Sequence, residues 1–145
     1  MIEGHRILVL CTGNSCRSQM AEGYLAHFAD RHMEVRSAGL EAHGLNPYAV
    51  EVMGEDGIDI SGHTSDIVDV DLLAWATLVI TVCSHADVHC PAAPANVEKR
   101  HIPFPDPAGG AGSEEEALER FRDVRDRIRI AMSAVIRELE QRRAS

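Results

Sequence analysis

No apolar run in this sequence approaches the roughly 18 residues that a membrane-spanning helix requires, and the short charged lead-in at His5 and Arg6 lacks the long apolar stretch of a secretory leader. A membrane role is therefore excluded and a cytoplasmic location is expected. Cationic excess is missing as well: 14 Lys and Arg stand against 23 Asp and Glu, a net charge of -9. Such a surface repels nucleic acids and anionic membranes, so an anionic ligand must be held by local dipoles and an arginine. There is no internal repeat, linker or change of composition, so 145 residues with 45% hydrophobic and 26% charged content read as one domain, expected to be monomeric.

Cysteine is sparse too. Four cysteines in a chain of this size do not need to build a disulfide framework, and in a reducing compartment they are catalytic, metal-binding or simply buried. The spacings Cys11-x4-Cys16 and Cys83-x6-Cys90 lack the usual Cys-x2-Cys knuckle of structural zinc. His85 and His89, at i and i+4, could share a helix face, but exposed loop histidines are the better account of them. A non-enzymatic zinc module is the least supported reading.

The elements that remain alternate. A buried strand is predicted at His5 to Leu10, a helix from Arg17 to Asp30, a second strand from Met33 to Ser37 and a helix opened by Asn46-Pro47 through Met53. A short helix is expected at Val70 to Ala74, then a β-branched strand at Thr77 to Val82, whose lack of polar alternation suits a central parallel strand. A weaker strand is expected at Lys99 to Phe104. Ser113 then caps a long helix that carries Glu114, Glu115 and Glu116 at its start and Arg142 and Arg143 at its end, in keeping with the helix dipole. Leu118, Phe121, Val124, Ile128, Met132, Val135 and Leu139 form its apolar stripe. The fold class that follows is single-domain α/β, a mainly four-stranded parallel sheet with helices on both faces. Ligands of such sheets sit beyond the carboxyl ends of the strands, where Cys11 and Cys83 both lie.

Between the first strand and first helix stands Cys11-Thr12-Gly13-Asn14-Ser15-Cys16-Arg17-Ser18. A loop of this composition at a helix N-terminus wraps backbone N–H groups around one point, a ready site for a tetrahedral oxyanion above a thiol. Cys11 is the nucleophile candidate, acidified by the loop N–H groups, the helix and the Arg17 guanidinium. Thr12, Gly13, Asn14, Ser15, Cys16 and Arg17 are the oxyanion-binding residues. Arg17 supplies a planar fork that lysine cannot replace, in a first turn where a cation is otherwise disfavoured. Gly13 and Asn14 tolerate positive φ. Ser18 either bonds the Cys11 sulfur or serves in capping, and Cys16 is a packing or tuning residue. Asp106, fixed between two prolines, is a candidate general acid, although an Asp beside Pro is most often a turn residue.

Cys83 and Cys90 bear on the reaction. Were the segment between them helical, seven residues at about 1.5 Å each would separate their Cα atoms by roughly 10 Å. A disulfide needs them within about 7 Å, so bridging requires unwinding, and Pro91 stops the helix from continuing. A simple phosphatase needs neither thiol.

The chain resembles the thioredoxin-coupled arsenate reductases, which share the fold of low-molecular-weight protein tyrosine phosphatases. The resemblance runs through Cys11 to Gly23, Ser37-Ala38-Gly39, Asn46-Pro47, His63-Thr64-Ser65-Asp66, Cys83 with Cys90, and Asp106-Pro107-Ala108. It implies that Cys11 attacks arsenate held by the loop and Arg17 while Asp106 assists loss of oxygen as water. Cys83 then attacks Cys11 and releases arsenite, Cys90 attacks Cys83, and thioredoxin reduces the resulting disulfide. Phosphate and sulfate would act as mimics. No cofactor is required, but some members bind potassium at positions matching Asn14, Glu22, Ser37 and Asp66; a hydrogen-bond network supporting the loop is the alternative. Pro105 replaces a frequent acidic neighbour of Asp106, and the Gly109-Gly110-Ala111-Gly112 stretch lengthens or loosens the loop after it. That loop also lacks the tyrosines with which phosphatases of this fold stack their substrate. A low-molecular-weight protein tyrosine phosphatase is the alternative function.

Overall fold

A computed structural model describes residues 4–144, with the side chains of residues 143 and 144 outside the described set; the expected role of the Arg143 side chain lies beyond it. The element order is β1 (His5–Cys11), α1 (Arg17–Phe28), β2 (Met33–Gly39), α2 (Pro47–Glu55), α3 (Val70–Trp75), β3 (Leu78–Thr81), α4 (Ser84–His89), β4 (Glu98–His101) and α5 (Glu114–Ala144). All strand pairings are parallel, in the order β2-β1-β3-β4.

β1 is central because Ile7 through Cys11 are buried without alternation, so both faces of the strand must be covered. α5 packs across α1 and α2, while α3 and α4 lean on β1. Register delivers the site: Cys11 pairs with Gly39 of β2, and Leu10 with Thr81 of β3. The chain order places the crevice between β1 and β3, where successive connections leave in opposite directions.

Local chemistry sets the boundaries. Asn46 caps α2 by accepting the N–H groups of Tyr48 and Ala49, with Pro47 at the first turn. Ser113 and Glu116 form a reciprocal capping box ahead of α5, and Arg142 near its other end bonds Glu98 of β4 at 3.0 Å. β4 stops at His101, short of the expected Phe104, because Pro103 and Pro105 cannot donate to a ladder. The Ser84–His89 segment is helical, so the roughly 10 Å separation applies between Cys83 and Cys90, which flank it in extended backbone conformations.

The α5 stripe is core as predicted, with Phe121 fully buried and its ring 5.5 Å from Tyr48 of α2. Phe121→Ala should lower stability by about 3–5 kcal/mol, measured by urea unfolding. A loss of under about 1 kcal/mol would mean that α5 is not docked through this side chain.

Candidate active site

After Cys11 the chain enters a loop, residues 12–16, that the neighbouring segment holds open. The backbone N–H groups of Leu40, Glu41, His43 and Asn46 donate to the carbonyls of Cys11, Thr12, Gly13 and Ser15. The Asn14 carbonyl accepts from the Gln19 amide and the Ser65 hydroxyl. With its carbonyls tied outward, the loop leaves the N–H groups of Gly13, Asn14, Ser15 and Cys16 without a partner among the described residues. α1 likewise begins at Cys16 with no side-chain cap. A ring of free N–H groups at the start of a 12-residue helix is an anion cradle.

The cradle opens into a cleft of about 280 Å³ lined by Cys11, Thr12, Gly13 and Ser15 to Arg17 of the loop together with His43, Asp106 and Ala108. Arg17 donates to the Phe104 carbonyl at 3.1 Å and its Nη2 stands 3.9 Å from Asp106. Its Nε is buried with no hydrogen-bond partner among the described residues. A buried guanidinium N–H left unpaired is costly, and an oxyanion in the cleft would satisfy it. Asp106 lies at the mouth, its side chain 55% exposed and fixed by the Ala108 N–H.

Two expectations about the loop change. Asn14 does take positive φ, at 47°, but Gly13 does not. Gly13 is needed for space, since a Cβ there would stand 2.3 Å from Nδ1 of His43, whose Nε2 pairs with Glu41 at 2.6 Å. Ser18 accepts a hydrogen bond from the Asn14 amide, which also donates to Ser37. Among the described residues Ser18 makes no bond to the Cys11 sulfur, so it supports the loop from beneath.

All four cysteines are free thiols. The acidification expected of Cys11 falls instead on Cys83. The two buried thiols act on each other as one pair, and Cys83 has the better partners: the Thr12 hydroxyl at 3.3 Å and the Ala86 N–H at 3.4 Å. The Cys11 thiol first, then these contacts and Arg17, pull Cys83 down to about 4. Cys11 is pushed up, by Cys83 and by burial, against the opposing pull of Arg17 and the Thr12 N–H. Cys16 rises to about 11 through burial and the nearby Asp106, which keeps it a neutral thiol.

Asn14, Glu22, Ser37 and Asp66 also come together. Ser37 donates to Glu22 at 2.5 Å, and the Asn14 oxygen accepts the Asp66 N–H at 2.8 Å. Glu22, Ser37 and Asp66 face one cavity of about 620 Å³. The hydrogen-bond network is therefore present, and its hard oxygens also fit an alkali cation. Among the described residues there is no group of three or more His, Cys, Asp or Glu side chains suited to a metal ion, although the His85 and His89 rings do meet at 4.4 Å.

Sequence reasoning missed His43 and Arg120. Arg120 bonds the carbonyls of Pro107 and Ala111, and a Cβ on Gly110 would collide with its guanidinium at 2.6 Å. The glycine-rich stretch after Asp106 is thus pinned by α5, not loose. No motif marks either residue; Gly13 and Gly110 are the indirect signals, each making room for a side chain.

The model of the low molecular weight phosphotyrosine protein phosphatases matches residues 6–145. The chain belongs to that family. An arsenate reductase from Bacillus subtilis is 53% identical over 127 residues, 88% of this chain and 91% of that relative. A solved arsenate reductase in the phosphate binding state covers 92% of this chain and 98% of its own at 30% identity, with a TM-score of 0.69. An arginine phosphatase from Geobacillus stearothermophilus covers 97% and 96% at 28% identity, with a TM-score of 0.82. The family thus holds both reductases and phosphatases built on this loop.

The thiol pair predicts a titration. Thiolate absorbance of the reduced protein should survive acidification well below neutrality and disappear around pH 4. Cys11→Ala removes the largest cause of that depression, so the midpoint should move up. An unmoved midpoint would show that the two thiols do not act as a pair.

Proposed function

We propose that this chain is an arsenate reductase working through Cys11, Cys83 and Cys90 and regenerated by thioredoxin. The observation that carries the oxyanion half is the set of unpaired loop N–H groups and Arg17 Nε around Cys11. The observation that carries the redox half is the buried Cys83 sulfur, 3.3 Å from the Thr12 hydroxyl of the loop and two residues past the end of β3, the strand paired with β1. The names of the relatives support arsenate as the oxyanion.

In this reading the loop and Arg17 orient arsenate over Cys11, whose proton passes to the Cys83 thiolate. The Cys11 sulfur attacks arsenic, and Asp106 protonates the departing oxygen, which leaves as water. Cys83 releases that proton to solvent and, as a thiolate, attacks the Cys11 sulfur. The S–As electron pair goes to arsenic, which leaves as arsenite, and a Cys11 to Cys83 disulfide remains. Cys90 then attacks Cys83 and Cys11 departs as thiolate. The dithiol of thioredoxin reduces the Cys83 to Cys90 bond and supplies the two electrons. Cytoplasmic location and a monomer complete the proposal; free thiols at all four positions suit a reducing compartment.

Hydrolysis is the competing reading, because Cys11, Arg17 and Asp106 suffice for it and an arginine phosphatase shares the fold. Cys83→Ser separates the two: thioredoxin-dependent arsenate turnover should fall by at least about 100-fold, and full retention would sink the relay. Arg17→Lys should lower turnover by about 10²–10³, with the loss in kcat as well as KM. A change confined to KM would place Arg17 outside the reacting geometry.

Potassium would be held by Glu22, Ser37, Asp66 and Asn14. Bound there, it would supply positive charge behind the loop and stiffen it. Potassium chloride should then raise Tm by about 3 °C over tetramethylammonium chloride, and Glu22→Gln should abolish the difference. An equal Tm in both salts would leave only the hydrogen-bond network.

A further inference from the structure

We infer that Asp87 is the latch that holds α4 helical and sets how fast Cys90 can reach Cys83, an inference that rests on the relay proposed above. α4 faces the sheet at one polar point. The buried Thr81 hydroxyl of β3 donates to Asp87 Oδ1 at 3.0 Å. Lys99 of β4 donates to the Asp87 carbonyl at 3.1 Å and stands 3.4 Å from its carboxylate. His101 Nδ1 lies 2.9 Å from the Thr81 oxygen and 3.9 Å from Asp87. A hydroxyl has one proton, so if Thr81 gives it to the carboxylate it must accept from His101, whose Nδ1 then carries the hydrogen. Side chains from two strands thus converge on one residue of a six-residue helix.

Little else ties the helix down. Ser84, His85, Val88 and His89 are exposed, and among the described residues no other side chain of α4 hydrogen-bonds to the sheet. A helix this short does not hold itself together in water. Apart from the small Ala86 side chain, which is buried in the core, its persistence therefore depends on Cys83 at one end and Asp87 in the middle. While both hold, Cys90 stays beyond disulfide reach of Cys83, which reserves Cys83 for Cys11. When the latch opens, Cys90 attacks Cys83 of the Cys11 to Cys83 disulfide; the new S–S bond forms as the old one breaks, and Cys11 leaves with the electron pair. Asp87 touches no reacting atom, so it is a positioning residue.

The test uses the full reduced chain. Amide hydrogen exchange across residues 84–90 should quicken by about tenfold in Asp87→Ala and in Thr81→Val, the second an isosteric change within β3. Asp87→Asn, which keeps an acceptor for Thr81 but loses the ion pair, should fall between them and the parent. Peptide mapping after diamide oxidation should show the Cys83 to Cys90 disulfide forming faster in the same order. Unchanged exchange in both Asp87→Ala and Thr81→Val overturns the latch. Faster exchange with an unchanged rate of disulfide formation overturns its control over the relay. If the parent forms no Cys83 to Cys90 disulfide while exchange still responds, the relay reading itself fails.

Discussion

The structure turns on the outward fixing of the carbonyls of Cys11 to Ser15. Peptide groups have two polar ends, and when one end is committed the direction of the other is set. The 40–46 segment takes four of the carbonyls and Gln19 and Ser65 take that of Asn14, so the N–H groups have only the cleft to face. Everything around the loop serves that arrangement. The β1 and β2 register brings Gly39 beside Cys11 so that the following segment can reach, Asn14 takes the left-handed conformation that the turn requires, and Asn14, Ser18 and Ser37 brace it from below. A chain with net charge -9 can then hold an anion, because paired backbone dipoles and one arginine act at contact distance while the general field is screened within about 8–10 Å.

How much of this the sequence reveals depends on how local the cause is. The strand, loop and helix around Cys11 are legible because turn residues, apolar runs and helix spacing sit in one short stretch. Long elements such as α5 announce themselves through caps and an apolar stripe. The failures are non-local. Gly13 suggests positive φ when read alone, yet it makes room for His43 some thirty residues away in the chain. Gly109 to Gly112 suggests looseness, yet Arg120 pins the loop through two carbonyls. Cys11 suggests an acid thiol because its own loop is electropositive; the Cys83 sulfur that takes the charge comes from another strand.

Hydrolysis and reduction differ here in what stands next to the nucleophile, not in the cradle. A hydrolase needs water to reach the thioester-like intermediate on Cys11. In this site the neighbour of Cys11 is a sulfur with a depressed pKa, held by Thr12 and the start of α4. A thiolate already in contact attacks sooner than a water that must be activated. The parallel sheet achieves this by ending β1 and β3 side by side, so that residues separated by seventy positions meet.

Cys83 couples the chemistry to the opening of α4. As a thiolate it accepts the Ala86 N–H and places negative charge at the N-terminus of a helix too short to stand alone. In the proposed relay, a disulfide between Cys83 and Cys11 would remove that charge and leave the sulfur a much weaker acceptor, so the helix would lose its cap. Asp87 is then the remaining polar tie to the sheet beside the buried Ala86, and unwinding becomes cheaper at the one step that needs Cys90 to move. The same bond that stores the oxidising equivalent therefore weakens the helix that keeps the third thiol away. No separate signal is needed to order the two exchanges, because the second becomes accessible through the product of the first.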